Sequence, residues 1–385
     1  MNEKISIMFK DLEDSRVDRT KKHPFESILY IVMCGIFAGI STWTGFEEYA
    51  VLNEDLFITV IDLPNGIPSH DTISKVIESL SIEDFEENFG KFIDLFLEEI
   101  NSKNKEGLNN KVIAIDGKTI RGSVNKKEGV KARHIITAWV TGSKLSLGQI
   151  KVDQKTNEIT AIPELLERIN IAGHIITIDA MGCQRNICEK IIEKEGDFLI
   201  ALKGNQGEFN SDVKRFFEKF DQDEQFKNKT IYSELHEREN NKGRIEERHC
   251  ISIDIESKSF KWIQDYHQWP HLKSISIIKS KRTEKNKTSH ETRFFISSLD
   301  HNAKQISQNI RSHWSIENQL HWVLDVVYNE DKSKIRTENA PEILSIMRKW
   351  ALAVANKHKG KNSLSGMTRR SLISFKYLLN LLENI

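Results

Sequence analysis

The sequence predicts an α/β protein in which a helical N-terminal domain precedes an α/β domain with a β-rich insertion. Three observations lead to this prediction. Residues 1–100 repeat apolar side chains at helical spacing. Short, continuous apolar runs at Val112–Ile115 and Ile175–Ile178 are typical of strands buried on both faces, and helical patterns accompany them. Residues 204–300 contain runs of alternating apolar and polar side chains, the pattern of half-buried strands.

The helical N-terminal domain is predicted to end in a polar linker. Ser69 or Asp71 is placed to cap a helix, and an amphipathic helix with Phe85–Phe96 on one side follows. The stretch Asn101–Asn110 has no apolar period and contains Gly107, which favours a linker. The predicted domains are residues 1–104, 105–335 and 336–385, the last being a helical basic segment.

The α/β domain is predicted to continue with strands at 134–140, 146–152 and 198–202. A short helix at Pro163–Ile169 has proline near its first turn. The β-rich insertion, at about 204–300, follows. From Gln305 onward the pattern is helical.

Charge is distributed unevenly along a chain whose formal net charge is zero. Residues 1–100 have a net charge of −12, whereas residues 101–150 and 332–385 have net charges of +7 and +8. Two basic blocks are what a phosphate-binding surface leaves in a sequence. Solvated basic faces remain an equally good interpretation of the charge alone.

The N-terminus has no secretory signal, and the longest apolar stretch, Ile28–Ile40, is shorter than the roughly 20 residues of a membrane span. The four cysteines have no spacing typical of a zinc or redox motif. These features predict a cytoplasmic protein with reduced thiols.

Two acids follow the two buried runs directly. Asp116 comes after Val112–Ile115 and Asp179 after Ile175–Ile178, at the strand ends where open α/β sheets place their sites. A buried carboxylate is costly unless it is paired or bound to metal. A helix N-cap is the alternative role for Asp179.

A third acid lies within a helical run rich in functional residue types. His313, Glu317, His321 and Asp325 are spaced by four and drift slowly round one side of a helix. A zinc ladder is one interpretation, although no His-Glu-x-x-His run is present. A second interpretation is a plain ladder of surface side chains. In a third interpretation, Glu317 joins two other acids in a metal site made only of oxygen ligands.

Three carboxylates suit Mg²⁺, with Mn²⁺ as a substitute, because hard cations prefer oxygen ligands. Two such ions, about 3.5–4 Å apart, activate the attacking oxygen and stabilise the leaving oxygen in phosphoryl transfer. The sequence therefore predicts a phosphodiester substrate, DNA or RNA.

Polar residues near these acids are candidates for phosphate contacts. Gly117 permits close backbone approach, and Lys118 and Arg121 follow it. Lys203 and Asn205 lie at the end of the strand that follows Asp179, where they are also placed to present polar groups to the site. The run after Asp116 is not a Walker A loop, because its glycine spacing is wrong.

Several of these runs, taken together and in order, resemble the H-repeat-associated transposases of bacterial insertion sequences. The matching stretches are Pro68–Thr72, Ala114–Lys118, Asp153–Ile159, Thr177–Gln184, Leu202–Gln206 and His313–Val326. The resemblance implies a DDE transposase with an RNase H-like catalytic core, a β-rich insertion before the last acid, and Mg²⁺-dependent cutting and joining of DNA.

By this resemblance the three family acids fall on Asp116, Asp179 and Glu317. Glu330 and Asp331 remain alternatives for the third acid, because they lie only about four turns further on. Arg311 resembles the arginine that precedes the last acid in related transposases, here two residues further away.

The resemblance also implies the partners. They are double-stranded DNA, as terminal inverted repeats and as target, and a second copy of the chain in the active complex. His313, with Lys118 and Arg121, is a candidate contact to phosphate or leaving group, and the protein would join the nucleoid when bound to DNA. Two alternatives remain open: a non-catalytic DNA-binding protein from a decayed transposase, and an RNase H-like nuclease that cuts without joining.

Overall fold

A computed structural model of the protein describes residues 3–103, 112–126, 129–152, 157–241, 243–263, 266–285 and 287–384. Most of the predicted linker, and the first four residues of the Asp153–Ile159 stretch, lie outside the described residues.

The described strands form one sheet and are, in chain order, β1 (Val112–Ile120), β2 (Arg133–Val140), β3 (Leu145–Val152), β4 (Ile175–Ile178), β5 (Asp197–Leu202), β6 (Tyr232–Asn241), β7 (Arg244–Asp254), β8 (Ser274–Glu284) and β9 (Lys287–Ser297).

The described α-helices are α1 (Glu3–Phe9), α2 (Phe25–Phe37), α3 (Trp43–Leu52), α4 (Glu54–Phe57), α5 (His70–Glu78), α6 (Ile82–Lys103), α7 (Glu158–Arg168), α8 (Arg185–Glu193), α9 (Gly207–Gln222), α10 (Glu224–Asn228), α11 (Ala303–His313), α12 (Trp322–Val326), α13 (Ala340–His358), α14 (Leu364–Ile373) and α15 (Phe375–Glu383). A π-helical segment, Ile316–His321, lies between α11 and α12.

The sheet has nine strands in the order β3-β2-β1-β4-β5-β9-β8-β7-β6. The first three strands are antiparallel, whereas β4 runs parallel to β1 and β5 parallel to β4. The strands predicted in the α/β domain are confirmed, apart from small differences at their ends. The mixed α/β class predicted for the chain is confirmed as well.

The β-rich insertion is confirmed, but its strands do not form a separate sheet. The last of them, β9, pairs antiparallel with β5, from Leu199 opposite Ser297 to Leu202 opposite Phe294. Strands β8, β7 and β6 then extend the same sheet outward, so that β6 is its edge. The insertion is therefore continuous with the sheet that carries Asp116 and Asp179.

Helix α7 begins five residues before the position predicted from Pro163. The Asn157 side chain accepts a hydrogen bond from the Thr160 amide, and the Thr160 hydroxyl accepts one from the Asn157 amide, so the pair caps the helix. Proline therefore lies inside the helix and not in its first turn. The earlier start matters for the site because it makes Glu158 the first residue of α7.

The N-terminal and C-terminal helices share one hydrophobic core. Helix α13 packs against α2, α6 and β3, and its residues from Ala340 to Ala355 are buried. A second core lies between the other face of the sheet and helices α7, α8 and α9. The C-terminal segment predicted to be helical and basic, residues 336–385, thus includes a helix of the central core. Apolar residues outnumber charged residues along this helix, α13.

Two smaller expectations concern the membrane and the thiols. In the part of the chain that the structure describes, no helix is both long and apolar enough to cross a bilayer. The four cysteines are buried free thiols.

Candidate active site

The pairing of β1 with β4 brings the first two acids together. Parallel pairing runs from Val112 opposite Ile175 to Ile115 opposite Ile178 and then stops. Asp116 and Asp179 are the next residues on the two strands, so their side chains leave the same edge of the sheet. Strand β1 itself continues to Ile120 alongside β2, which differs from the strand end expected at Ile115.

Asp179 also caps the turn that follows it. Its carboxylate oxygen Oδ1 accepts a hydrogen bond of 2.9 Å from the Met181 amide. The capping role considered from the sequence is therefore present, and it orients the carboxylate. Burial raises the pKa of Asp179, the Met181 bond opposes this rise, and the charge of Glu158 adds to it.

Glu317 reaches this edge from the π-helical segment, which packs against β1. A π-helical turn is rare and is found most often at functional sites. The pKa of Asp116 is raised to about 7, chiefly by burial; the charges of Asp179, Glu317 and Glu158 add to this rise, and the Gly117 amide opposes it. Three other carboxylates are therefore close enough to disfavour the ionisation of Asp116.

The three predicted acids are neighbours but not a closed cluster. Among the described residues, the oxygens of Asp116, Asp179 and Glu317 do not all lie within 4.8 Å of one another. Asp116 and Asp179 are half-buried, whereas Glu317 is exposed. A cation bound by all three would draw the Glu317 side chain inward.

Glu158, which sequence reasoning missed as a site residue, is held by His134. Its oxygen Oε1 lies 2.7 Å from His134 Nε2, and the other ring nitrogen lies 2.9 Å from the Thr119 hydroxyl. A Cβ atom added to Gly117 would lie 2.5 Å from both Glu158 Oε1 and His134 Nε2. The close approach expected at Gly117 is thus made by protein side chains. The sequence does contain a signal for this position. The capping pattern of Asn157 and Thr160 indicates a helix that begins at Glu158.

Lys118 does not face outward as a phosphate contact would. Its ammonium lies 2.8 Å from Asp325, 3.0 Å from Glu330 and 3.2 Å from Asp331, and its side chain is 10% exposed. Three carboxylates from a distant segment surround this cation, and its role as a phosphate contact stays a prediction from the sequence. Arg121 differs, since its side chain is 85% exposed and its Nε lies 3.6 Å from Asp331.

The two alternative third acids belong to this ion cluster. Glu330 is 1% exposed and lies between Lys118 and Arg348, whose Nη1 is 3.7 Å from Glu330 Oε1. Burial pushes the pKa of Glu330 upward, but Lys118, Arg348 and Lys349 outweigh it, so the pKa is lowered. The negative charges of Glu330 and Asp331 are therefore balanced by neighbouring lysine and arginine side chains. The charge of Glu317, in contrast, raises the pKa of Asp116.

The histidines of the predicted ladder are buried beside the acids. His321 Nδ1 lies 3.6 Å from Asp116 Oδ2, and burial lowers the pKa of His321 to about 3. His313 Nδ1 lies 3.0 Å from the Thr177 hydroxyl, and burial lowers its pKa to about 4. Both lowered pKa values favour neutral rings near pH 7, so a contact of His313 with phosphate or leaving group would be a hydrogen bond and not an ion pair.

The remaining predicted contacts lie around the edge of the site. Lys203 is exposed, and its charge opposes the rise in the pKa of Asp179. Asn205 donates a 2.7 Å hydrogen bond to the Ala180 carbonyl, which ties the end of β5 to the Asp179 turn. Arg311 lies on α11, and both of its terminal nitrogens donate hydrogen bonds to the carboxylate of Glu239 on β6.

A groove of about 510 Å³ opens beside the π-helical segment, between α11 and strands β7–β9. Trp314 and Asn318 form its edge next to Glu317, and the Arg293 guanidinium lies over the Trp314 ring at 4.4 Å from the centroid. Cations outnumber acids in its lining, with Arg244, Arg248, Lys281, Arg282, Arg293 and Arg311 against Glu246 and Glu291.

Comparison with known proteins identifies the family. The family described as "Transposase DDE domain" matches residues 108–354, and the one described as "DDE_Tnp_1-associated" matches residues 7–93. The "H repeat-associated putative transposase YhhI" of Escherichia coli K12 is 38% identical over 376 residues, which is 96% of this chain and 95% of that protein.

A second relative from the same organism, the "H repeat-associated putative transposase YbfD", is 43% identical over 199 residues, covering 52% of this chain and 74% of its own length. The family match spans more than half of the chain and includes both strand-borne acids and Glu317. The chain therefore belongs to the DDE transposase family, and its relatives include the H repeat-associated proteins.

Proposed function

We propose that this protein is an RNase H-like DDE transposase that cuts the ends of an insertion sequence and joins them to target DNA. The observation that carries the proposal is the register of β1 and β4, which presents Asp116 and Asp179 side by side with Glu317 nearby. The strand order β3-β2-β1-β4-β5, in which only β2 runs antiparallel to the other four strands, supports the RNase H-like core.

The donor set fits a divalent cation. Burial and neighbouring carboxylates raise the pKa of Asp116, whereas Lys118, Arg348 and Lys349 lower the pKa of Glu330. Asp116, Asp179 and Glu317 would hold Mg²⁺, or Mn²⁺ in its place, because these ions prefer oxygen ligands. When bound, a pair of such ions supplies activation of the attacking oxygen and stabilisation of the leaving oxygen on a phosphodiester.

The protein side chains have separate roles around these acids. His134 holds Glu158, and Asn205 holds the Asp179 turn, so both position the acidic edge. Arg121 and Lys203 are exposed cations at this edge and are suited to binding DNA phosphates. Lys118 and His313 support the site from within and are not assigned to the DNA.

The groove between α11 and β7–β9 is the proposed path of the DNA beyond the acids. Its arginines are paired with neighbouring carboxylates, for example Arg293 with Glu291 at 2.8 Å, and would exchange these partners for phosphates. Trp314 offers a ring face beside Glu317 on which a base can stack. Two copies of the chain would act together, because an insertion sequence has two ends to be joined.

The experiment uses DNA that carries the sequences flanking the gene in its genome. Wild type, Asp116→Ala and the surface control Glu189→Gln are incubated with this DNA and Mg²⁺, and nicked and joined products are separated on denaturing gels. We expect joining by wild type and Glu189→Gln, and none by Asp116→Ala. Nicking without joining would indicate a nuclease, and DNA binding without cleavage in Mg²⁺ or Mn²⁺ would indicate a non-catalytic protein.

A further inference from the structure

A cluster of metal-ligating side chains lies far from the acidic edge, on the outermost strands of the sheet. His236 of β6 is directly opposite His249 of β7 in the antiparallel register. Glu234 lies two residues before His236 and therefore points to the same face of the sheet. Cross-strand neighbours on one face are close enough to share a ligand.

The three side chains are close together, and binding of one shared ion would require the two rings to turn out of their stack, because an imidazole nitrogen binds a metal in the plane of its ring. The two imidazole rings are stacked, with centroids 3.7 Å apart and an interplanar angle of 18°. Glu234 Oε2 lies 3.2 Å from His249 Nε2 and 4.0 Å from His236 Nε2. One ligand atom from each residue lies within 4.8 Å of the other two, an arrangement that no other trio of His, Cys, Asp or Glu attains among the described residues.

Two lysines near the rings are each paired with an acid, which reduces their repulsion of a bound metal ion. Lys279, which is opposite His249 on β8, pairs with Asp221 of α9. Lys281 pairs with Glu247 at 3.0 Å. The Glu234 carboxylate supplies a negative charge next to the two rings.

The ligand types select a different metal from the one suited to the acidic edge. Two imidazoles and one carboxylate are typical of zinc and related transition metals, with water completing the coordination. Mg²⁺ binds such a set poorly because it prefers oxygen ligands. We propose that Glu234, His236 and His249 form a second metal site, which binds Zn²⁺ or a similar transition-metal ion and fastens β6 to β7.

The position of β6 gives such a site a structural consequence. As the edge strand, β6 is paired only with β7. Its opposite face holds α11, since Glu237 accepts a 3.1 Å hydrogen bond from the Ser307 hydroxyl and Glu239 binds Arg311. A metal ion between β6 and β7 would therefore stabilise the strand that anchors the helix leading to Glu317.

The test titrates the full-length protein, freed of metal, with Zn²⁺ and with Co²⁺. All variants carry Asp116→Ala and Asp179→Ala, so that the acidic edge does not contribute. Calorimetry measures affinity and stoichiometry, and the visible absorption of Co²⁺ reports nitrogen ligands. We expect one ion per chain, a melting temperature that rises with Zn²⁺, and at least about tenfold weaker binding in His249→Ala or His236→Gln.

The matched control is His290→Ala, which removes an exposed histidine of β9 from the same face and should bind as the parent does. Circular dichroism checks that each variant is folded, and His236→Gln alters the more exposed of the two rings. Equal binding by His249→Ala, His236→Gln and the parent would overturn the proposal, as would no Zn²⁺ binding by the parent. Either result leaves the DNA-joining experiment untouched.

Discussion

At the scale of single residues, the acids were easier to predict than the cations. Asp116 and Asp179 directly follow continuous apolar runs, and a buried run fixes the sheet edge at which the next side chain emerges. Lys118 follows Asp116 by two residues, yet its direction depends on Asp325 and Glu330, more than 200 residues away. A local pattern contains no information about such partners.

Asp116 gives the clearest residue-scale prediction, because its pKa is raised to about 7 while the unfolded chain keeps the ordinary value of 3.8. The folded protein therefore retains a proton that the unfolded chain releases. The stability due to this proton is fully present below about pH 4 and is lost as the pH rises through 7. Asp116→Asn keeps the side chain neutral at every pH.

We expect Asp116→Asn to melt at the wild-type temperature at pH 4. At pH 8, without divalent cations, it should melt at least about 2 °C higher than wild type. Calorimetry at the two pH values measures this difference, with Glu189→Gln as a control that removes one exposed negative charge. A wild type that melts above Asp116→Asn at pH 8 would contradict the cost inferred for ionising Asp116, which is due to burial first and to the neighbouring carboxylates second.

At the scale of elements, regular patterns were predictable and their interruptions were not. The four-residue spacing from His313 to Asp325 predicted one continuous helix, whereas the structure has α11, a π-helical segment and α12. A π-helical turn holds more residues than an α-helical turn, so it changes the direction in which later side chains point. Nothing in the spacing distinguishes the two. Similarly, the pairing of β5 with β9 joins residues about 100 apart and lies beyond local periodicity.

The π-helical segment leads to a prediction about Asn318, an exposed residue directly after Glu317. Deleting Asn318 should convert the segment to α-helix and move Glu317 relative to Asp116. We expect DNA cleavage to fall by about a hundredfold or more, because small displacements in an active site have effects of this size. Gel assays of cleavage measure the change, and circular dichroism confirms the fold.

The matched control for this deletion is Asn318→Gln, which keeps the residue count and the side-chain amide and should cleave at a rate close to wild type. Cleavage at the wild-type rate by the deletion variant would show that the π-helical geometry is not needed to place Glu317.

At the scale of the whole molecule, the N-terminal and C-terminal thirds of the chain build one core around α13. The net charge of +8 over residues 332–385 suggested a basic surface. Arg348 and Lys349 are instead buried, where Arg348 faces Glu330 and Lys349 binds the Thr137 hydroxyl at 2.9 Å. Summed charge does not distinguish a buried ion pair from a surface patch, so composition alone is weak evidence for a DNA-binding surface.

The candidate site joins segments that only the complete fold brings together: β1, β4, α7 and the π-helical segment. Its acids require correct pairing of the parallel strands and correct docking of α11 against the sheet. The central claim is that Asp116, Asp179 and Glu317 share a divalent cation, while Glu330 serves the ion cluster around Lys118.

The most direct measurement of this claim is Mn²⁺ binding followed by electron paramagnetic resonance in a His249→Ala background, which removes the second proposed site. Folded samples of this parent, with Glu317→Gln or with Glu330→Gln added, are compared. The account predicts at least about tenfold weaker Mn²⁺ binding in Glu317→Gln and unchanged binding in Glu330→Gln. Unchanged binding in Glu317→Gln together with lost binding in Glu330→Gln would contradict it and make Glu330 the third acid.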